Sequence, residues 1–308
     1  MLAALMLWNE PNNLSHWNFQ LDPEWRRYGR MIRLAARAAR ECAPGLPVVA
    51  GGISPIDPQF VRLLAGQGAL DDVDAIGIHG FPLDWNHWSI HQWPEKIAEV
   101  AAATDKAIWI TEAGASSFGA EEVQAFGLDA MARLLAAAPV EQVFWYSLLD
   151  LPGTWTATTR HKESEGSAYY RHYYMGLIRA DGTPKLAAAH FPASFGLCQW
   201  FHFEDPRLAR AVEWLRRLGV RKLRTGLSWA DWFRPGAESW FDRQMAALAE
   251  FEVTLTLCFT PAHLGLEPHY ASPPRRAEDF ADFCRWTLER YRDCREPASA
   301  RGLELGVV

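Results

Sequence analysis

Two glutamates stand where carboxylate chemistry would need them. Glu10 closes the run Leu7-Trp8-Asn9-Glu10 and Glu112 closes Trp109-Ile110-Thr111-Glu112, each directly after a short apolar stretch. Two carboxyl groups facing each other across a glycosidic bond can divide the work of breaking it. One, protonated, gives its proton to the leaving oxygen while the other attacks the anomeric carbon; a spacing of about 5–5.5 Å goes with retention of configuration and about 6.5–9.5 Å with inversion. Taken singly, each has an ordinary alternative: Glu10 beside a helix N-cap or paired with a nearby arginine, Glu112 as a comparable strand-end residue. The pair acquires meaning only if the fold brings both side chains to one place.

The elements that must position them alternate regularly. Residues 4–8, 47–50, 74–79, 107–111 and 140–147 read as strands. Helices are predicted over 24–40, from Asp57-Pro58 onward, over 94–102 and 121–137, and around 167–179. In the first helix Trp25, Tyr28, Ile32, Ala35 and Ala39 recur at three- and four-residue spacing, which makes one apolar face. A turn-rich passage to Ser194 precedes three further strands, at 195–200, 222–228 and 253–259. Their helices open at Asp205-Pro206 and cover 237–250 and 278–291; the strand-like tail 303–308 is expected to be accessory. Eight such units in 308 residues predict a single α/β domain, a closed (β/α)8 TIM barrel. An open doubly wound sheet would carry Gly-x-Gly-x-x-Gly after its first strand, and the chain has none. In a barrel the strand ends converge on one mouth, so Glu10 and Glu112 would meet there.

Composition narrows the partners. The chain holds 37 acidic against 31 basic residues, for a formal charge of -6, and no basic stripe, so nucleic acid has no electrostatic basis as a ligand. It is rich in aromatic residues, with 15 Trp, 16 Phe and 8 Tyr. Core packing accounts for many of them, but flat aromatic faces also bury the C–H faces of sugars. Cys42, Cys198, Cys258, Cys284 and Cys294 are odd in number and widely spaced, which suits reduced thiols and neither a disulfide framework nor a zinc cage. Residues 1–8 are apolar but too short to span a membrane and lack a basic leader, so a cytoplasmic location is expected. Neither a metal nor an organic cofactor is needed, and the oligomeric state stays open.

Leu7-Trp8-Asn9-Glu10-Pro11-Asn12 resembles the Asn-Glu-Pro signature after the fourth strand of clan A glycoside hydrolases, above all the β-xylosidase-like family, glycosyl hydrolase family 39. The resemblance implies that Glu10 is the acid/base and that Asn9 binds the substrate 2-hydroxyl. Trp109-Ile110-Thr111-Glu112-Ala113-Gly114 looks like the seventh-strand motif of that group, whose glutamate is the nucleophile. Gly51-Gly52 fits its fifth strand, and His79, ending Asp74-Ala75-Ile76-Gly77-Ile78-His79, resembles its active-site histidine on the sixth. Trp145-Tyr146 matches the aromatic end of the eighth. Strand alternation lets one of these two face the mouth; Trp145 is preferred and Tyr146 held in reserve.

Downstream, His202 follows the strand that would be first in that family, and Arg224 and Trp229 lie on or after the second. Arg224 could keep the nucleophile ionised, or form a plain strand-end salt bridge. Trp88, Trp93, Trp155 and Trp232 are further cleft candidates. Two departures stand out. Phe81 takes the place of a tyrosine that hydrogen-bonds the nucleophile, and the order is circularly permuted, with residues 1–190 resembling units four to eight and 191–308 units one to three. Closure would then require residues 253–259 to pair with 4–8. The resemblance implies a retaining β-glycoside hydrolase acting on a polysaccharide, oligosaccharide or small glycoside. A non-catalytic carbohydrate-binding barrel and a transglycosylase of polysaccharide assembly are the alternatives.

Overall fold

The computed structural model of the protein describes residues 1–154 and 170–292. Eight strands, β1 (Leu2–Leu7), β2 (Val48–Ile53), β3 (Ala75–Gly80), β4 (Ala107–Ala113), β5 (Gln142–Tyr146), β6 (Gly196–Cys198), β7 (Lys222–Ser228) and β8 (Glu252–Cys258), form a closed barrel in chain order. Every neighbouring pair is parallel. The seam is the expected one: Ala4 pairs with Thr254, Leu5 with Leu255, Met6 with Thr256 and Leu7 with Leu257. Among the described residues no barrel strand is therefore left with an open edge of unpaired amides and carbonyls.

Strand alternation sorts the side chains into two layers. Ala4, Met6, Val49, Ala75, Trp109, Phe144 and Cys198 pack together inside the barrel, with Ala107 and Tyr146 against them. Leu5, Leu7, Ile76, Ile78, Ile110, Val143 and Trp145 belong to the larger core between strands and helices. Small residues make room where large ones turn inward. A Cβ on Gly196 would meet the Phe144 ring at 2.5 Å, so only glycine fits there.

The outer helices are α1 (Arg26–Cys42), α2 (Pro58–Gly66), α3 (Trp93–Ala101), α4 (Glu121–Ala136), α5 (Leu208–Arg217), α6 (Ala237–Ala247) and α7 (Ala277–Tyr291). On α1 the predicted face is buried, through Tyr28, Ile32, Ala35 and Ala39. Its first turn is capped from outside by Asp22, which accepts from the amides of Arg27 and Tyr28 at 3.1 and 3.0 Å. Asp57 caps α2 as its position before Pro58 predicts, accepting from Gln59 and Phe60. Asp205 accepts from the Arg207 amide, so α5 begins slightly later than the Asp-Pro pair suggests.

The helix expected around 167–179 is present in its described part at Tyr170 and Arg171 and is corrected beyond them. A short 3-10 turn at His172–Tyr174 gives way to irregular chain, because Met175 to Ile178 bonds the backbone that follows β5: Leu177 donates to Ser147 and Ile178 to Leu148. Gly176 permits this approach, since a Cβ there would lie 2.1 Å from the Asp150 amide nitrogen. A buried ion pair, Lys185 Nζ to Asp150 Oδ1 at 2.7 Å, fastens the same segment. The tail 303–308, Trp155 and Cys294 lie outside the described residues. Among the described residues no helix is long and apolar enough to cross a membrane.

Candidate active site

Beyond β1 the chain leaves regular strand geometry within three residues. Trp8 has φ 71 and Glu10 φ 44, left-handed values that L residues adopt only under external constraint. The constraint on Trp8 is visible. Its indole is buried edge-on against Trp17 at 5.2 Å and Phe280 at 5.6 Å, and its Nε1 donates to the His16 carbonyl at 3.1 Å. With Trp8 anchored in the helix layer, the chain reverses and carries Asn9 and Glu10 over the mouth. The Glu10 amide is then fixed by a bond to the Gly52 carbonyl at 3.1 Å.

Glu112 reaches the mouth by another device. Along β4, Trp109 faces inward and Ile110 outward, so uninterrupted alternation would point Thr111 in and Glu112 toward the helices. Instead Ile78 pairs with Ile110 and the next pair is His79 with Glu112. Thr111 is the extra residue of a bulge, which turns two consecutive side chains to one face of the sheet. Gly77 provides the room: a Cβ there would meet Thr111 Oγ1 at 2.8 Å.

The two carboxylates have different surroundings. Glu112 Oε1 accepts a 2.5 Å bond from Arg224 Nη1 of β7, while Arg224 Nη2 donates to Asn9 Oδ1 at 2.5 Å. Arg224 is 3% exposed. Burial works against its charge, but Cys198 and Glu112 outweigh burial and hold the guanidinium more firmly protonated than usual. Burial also pushes the Cys198 thiol up to about 12, so at neutral pH the charge that counts is that of Glu112. Glu10 has no arginine partner among the described residues. Its Oε1 lies 2.9 Å from His79 Nδ1, and its Oε2 accepts from Asn13 Nδ2 at 3.0 Å with His16 Nδ1 at 3.3 Å.

His79, fully buried on β3, stands between the glutamates, its Nδ1 2.9 Å from Glu10 Oε1 and 3.5 Å from Glu112 Oε2. Burial drives its pKa down to about 3 despite the Glu112 charge, so the ring is neutral at pH 7. Its Nε2 has no hydrogen-bond partner and abuts Gly52, whose added Cβ would lie 2.7 Å away. This explains the Gly51-Gly52 pair: Gly52, at φ 73, leaves space for the imidazole. One oxygen of Glu10, one of Glu112 and His79 Nδ1 all lie within 4.8 Å of one another. Such a triad can hold a divalent ion in principle, but here the buried Arg224 already supplies the positive charge beside Glu112.

The structure thus brings together Asn9, Glu10, His79, Glu112 and Arg224. Tyr146 joins them: it packs with the barrel interior, and burial, then the charges of Glu112, Cys198 and Glu10, raise its phenol pKa and keep it un-ionised. The preference for Trp145 is therefore reversed. Phe144 and Tyr146 face inward, and Trp145 is fully buried in the outer core. Trp229 is likewise fully buried, 5.3 Å from Phe280 in the helix layer, and does not line the mouth. His202 is exposed on the loop after β6, its backbone near Asp205, and makes no bond to either glutamate. Trp93 is buried under Trp88, and Trp232 packs on Phe283 and Trp286.

Asn13, Ser15 and His16 are functional candidates that the sequence did not single out. Their signal is only proximity to Glu10 in the chain. A further aromatic group was equally hidden: Trp200 meets Phe259 at 5.4 Å, and Phe259 meets Tyr270 at 5.2 Å and stacks on His16 at 6.2 Å. A Cβ on Gly226 would lie 1.9 Å from the Trp200 ring, which fixes that indole over the end of β7.

A closed parallel barrel with two carboxyl groups this near each other at its strand ends has the architecture of a barrel glycoside hydrolase. Residues 2–167 match the family model "Glycosyl hydrolase catalytic core", and the chain belongs to that family. Among solved structures, it is similar to a GH128 (subgroup II) endo-β-1,3-glucanase from Sorangium cellulosum, with 18% identity over 60% of this chain and 67% of that one and a TM-score of 0.38. It is also similar to a putative dihydrodipicolinate synthase family protein from Coccidioides immitis, with 12% identity over 82% and 60% of the two chains and a TM-score of 0.34. No curated protein matches the chain.

Proposed function

We propose that the protein is a retaining β-glycoside hydrolase in which Glu112 is the nucleophile and Glu10 the acid/base, on a barrel circularly permuted relative to the family 39 β-xylosidases. The observation that carries this reading is the asymmetry of the pair. A carboxylate oxygen of Glu10 lies within 4.8 Å of one of Glu112, and only Glu112 is bonded to a buried arginine. That proximity favours the short separation of double displacement, about 5–5.5 Å, over the wider one of inversion. Arg224 gives Glu112, the attacking group in this reading, a charge-assisted hydrogen bond that fixes its orientation.

In the first step a Glu112 oxygen bonds to the anomeric carbon as the glycosidic C–O bond breaks. The electron pair stays with the departing oxygen, which takes the Glu10 proton. In the second, water gives a proton to the now ionised Glu10, its oxygen attacks the same carbon, and Glu112 leaves with its electron pair. Asn9 assists in a defined sense. Since Arg224 occupies its Oδ1, its Nδ2 is the group available to donate to the 2-hydroxyl. His79 is neutral and cannot compete with Glu10 as an acid. Phe81 offers no hydroxyl, but Tyr146 lies edge-on to it at 5.9 Å, so a phenol from β5 stands close to the position the expected tyrosine would fill.

The permuted order is supported by the placement of motifs on strands. Asn9-Glu10-Pro11 follows β1, Glu112 ends β4, and β8 closes onto β1. In this reading residues 1–190 supply units four to eight and 191–308 units one to three. The substrate is a β-linked carbohydrate.

Replacement of Glu112 by alanine should reduce turnover of an aryl β-glycoside by about a thousandfold or more, because the covalent step is lost. Added azide should restore part of the rate and yield the α-glycosyl azide, since a small anion can enter the vacated space. Undiminished turnover in a folded Glu112→Ala protein would remove Glu112 from the nucleophile role.

A further inference from the structure

The loop after β1 carries an imidazole that neither the fold nor the family match accounts for. His16 is mostly buried, with 22% of its side chain exposed, and its Nδ1 lies 3.3 Å from Glu10 Oε2. Phe259 stacks on the ring at an interplanar angle of 27°, which fixes its plane. The remaining freedom is which ring nitrogen carries a hydrogen, and the neighbouring bonds decide it.

Asn13 Nδ2 donates to Glu10 Oε2 at 3.0 Å, so Asn13 Oδ1 is the acceptor end of that amide. This oxygen receives both the Ser15 amide at 3.1 Å and the Ser15 hydroxyl at 2.8 Å. Ser15 Oγ has a single hydrogen, already committed to Asn13. Toward His16 Nδ1, 2.9 Å away, it can only accept. Nδ1 therefore bears a hydrogen, donated to Ser15 Oγ, while Glu10 Oε2 lies 3.3 Å from the same nitrogen without a hydrogen bond between them. The result is a hydrogen-bonded chain, His16 to Ser15 to Asn13 to Glu10, whose two ends, His16 Nδ1 and Glu10 Oε2, lie 3.3 Å apart.

We infer that His16 is a positioning residue for the acid/base of the proposed glycosidase, its Nδ1–H held in reserve for the carboxylate that forms when Glu10 gives up its proton. The inference rests on the assignment of Glu10. In the resting acid, Ser15 Oγ takes the N–H at 2.9 Å; as charge develops on Glu10 Oε2, 3.3 Å from the same nitrogen, the N–H turns toward it. Burial is the main force against protonation of His16; of the charged and titratable groups facing it, Glu10 favours protonation and His79 and Arg224 oppose it, so the ring acts as a neutral donor at neutral pH.

The test compares His16→Ala and His16→Asn with the wild type, using β-glycosides of good and poor leaving groups and measuring kcat/KM against pH. An asparagine can place an N–H near the position of Nδ1. In His16→Ala, losing a donor to the charged form should make Glu10 a weaker acid. The alkaline limb of the profile should move up by roughly one pH unit, and turnover of poor leaving groups should fall about tenfold, while good leaving groups change little. His16→Asn should recover most of both effects. An equal loss for all leaving groups with an unmoved alkaline limb would show a purely structural role and overturn the inference, as would a His16→Ala protein identical to wild type. A wild type that neither turns over nor forms a covalent adduct with any β-glycoside would instead overturn the glycosidase reading, and this inference with it.

Discussion

Glu10 and Glu112 differ chiefly in what each carboxylate touches, and single atoms decide the difference. Arg224 donates to one and amide and imidazole groups face the other. His79 between them is a neutral spacer with a thermodynamic consequence. Its folded-state pKa, about 3, lies below the 6.5 of an unperturbed histidine, so below pH 6.5 the unfolded chain binds a proton that the folded one refuses. Stability is fully present above that pH and is lost as pH falls toward 3, by at most about 1.4 kcal/mol per unit from this group. Chemical denaturation between about pH 4 and 7 should show this slope, and His79→Asn should flatten it. An unchanged slope in the variant would mean that His79 is not buried neutral. At this scale the sequence was informative where residue type implies chemistry: Glu10, Glu112, His79, Asn9 and Arg224 were all nameable in advance. His16 and Ser15 were not, because their part depends on a hydrogen-bond circuit that no residue type announces.

Strands and helices were legible because apolar periodicity reports burial directly, and α1 and α2 formed nearly where their patterns and caps place them. What the pattern could not give was phase at the strand ends. Trp145 and Tyr146 are both aromatic, so nothing in their types says which turns inward. The bulge at Thr111 is invisible in a string of letters, yet it is what aims Glu112 at His79. Likewise Trp229 looked like a mouth residue from its position after β7, but its indole finds Phe280 and Phe283 in the helix layer. Glycines mark these places more reliably. At Gly52 an added methyl would meet a left-handed backbone, His79 Nε2 at 2.7 Å and Met6 Cε at 2.8 Å. Gly52→Ala should therefore lower stability by about 1–3 kcal/mol, from strain and overpacking, and reduce turnover by displacing His79 toward the glutamates. A denaturation midpoint and kcat equal to those of wild type would contradict that account of the site.

Across the whole molecule, the seam between β8 and β1 joins segments from opposite ends of the described chain, and it allows Arg224 of β7 to meet Asn9 beyond β1 and Glu112 of β4. A parallel sheet closed in this way has no loose edge and can have its chain opened at any surface loop, which is why a permuted order is physically admissible. That closure was readable from eight strand signals and a count. The fifth unit was less so: the stretch to Arg179 reads as a helix, but Met175 to Ile178 is bound as irregular chain along Ser147 to Asp150. The account as a whole stands on the division of labour between Glu112 and Glu10 in one mouth. Its most direct test is to treat the protein with a 2-deoxy-2-fluoro β-glycoside bearing an activated leaving group, matched to the sugar it turns over, and to map the adduct by peptide mass spectrometry. The account predicts one fluoroglycosyl group per chain, attached to Glu112; attachment to Glu10, or turnover without any adduct and with inversion of the anomeric centre, would contradict it.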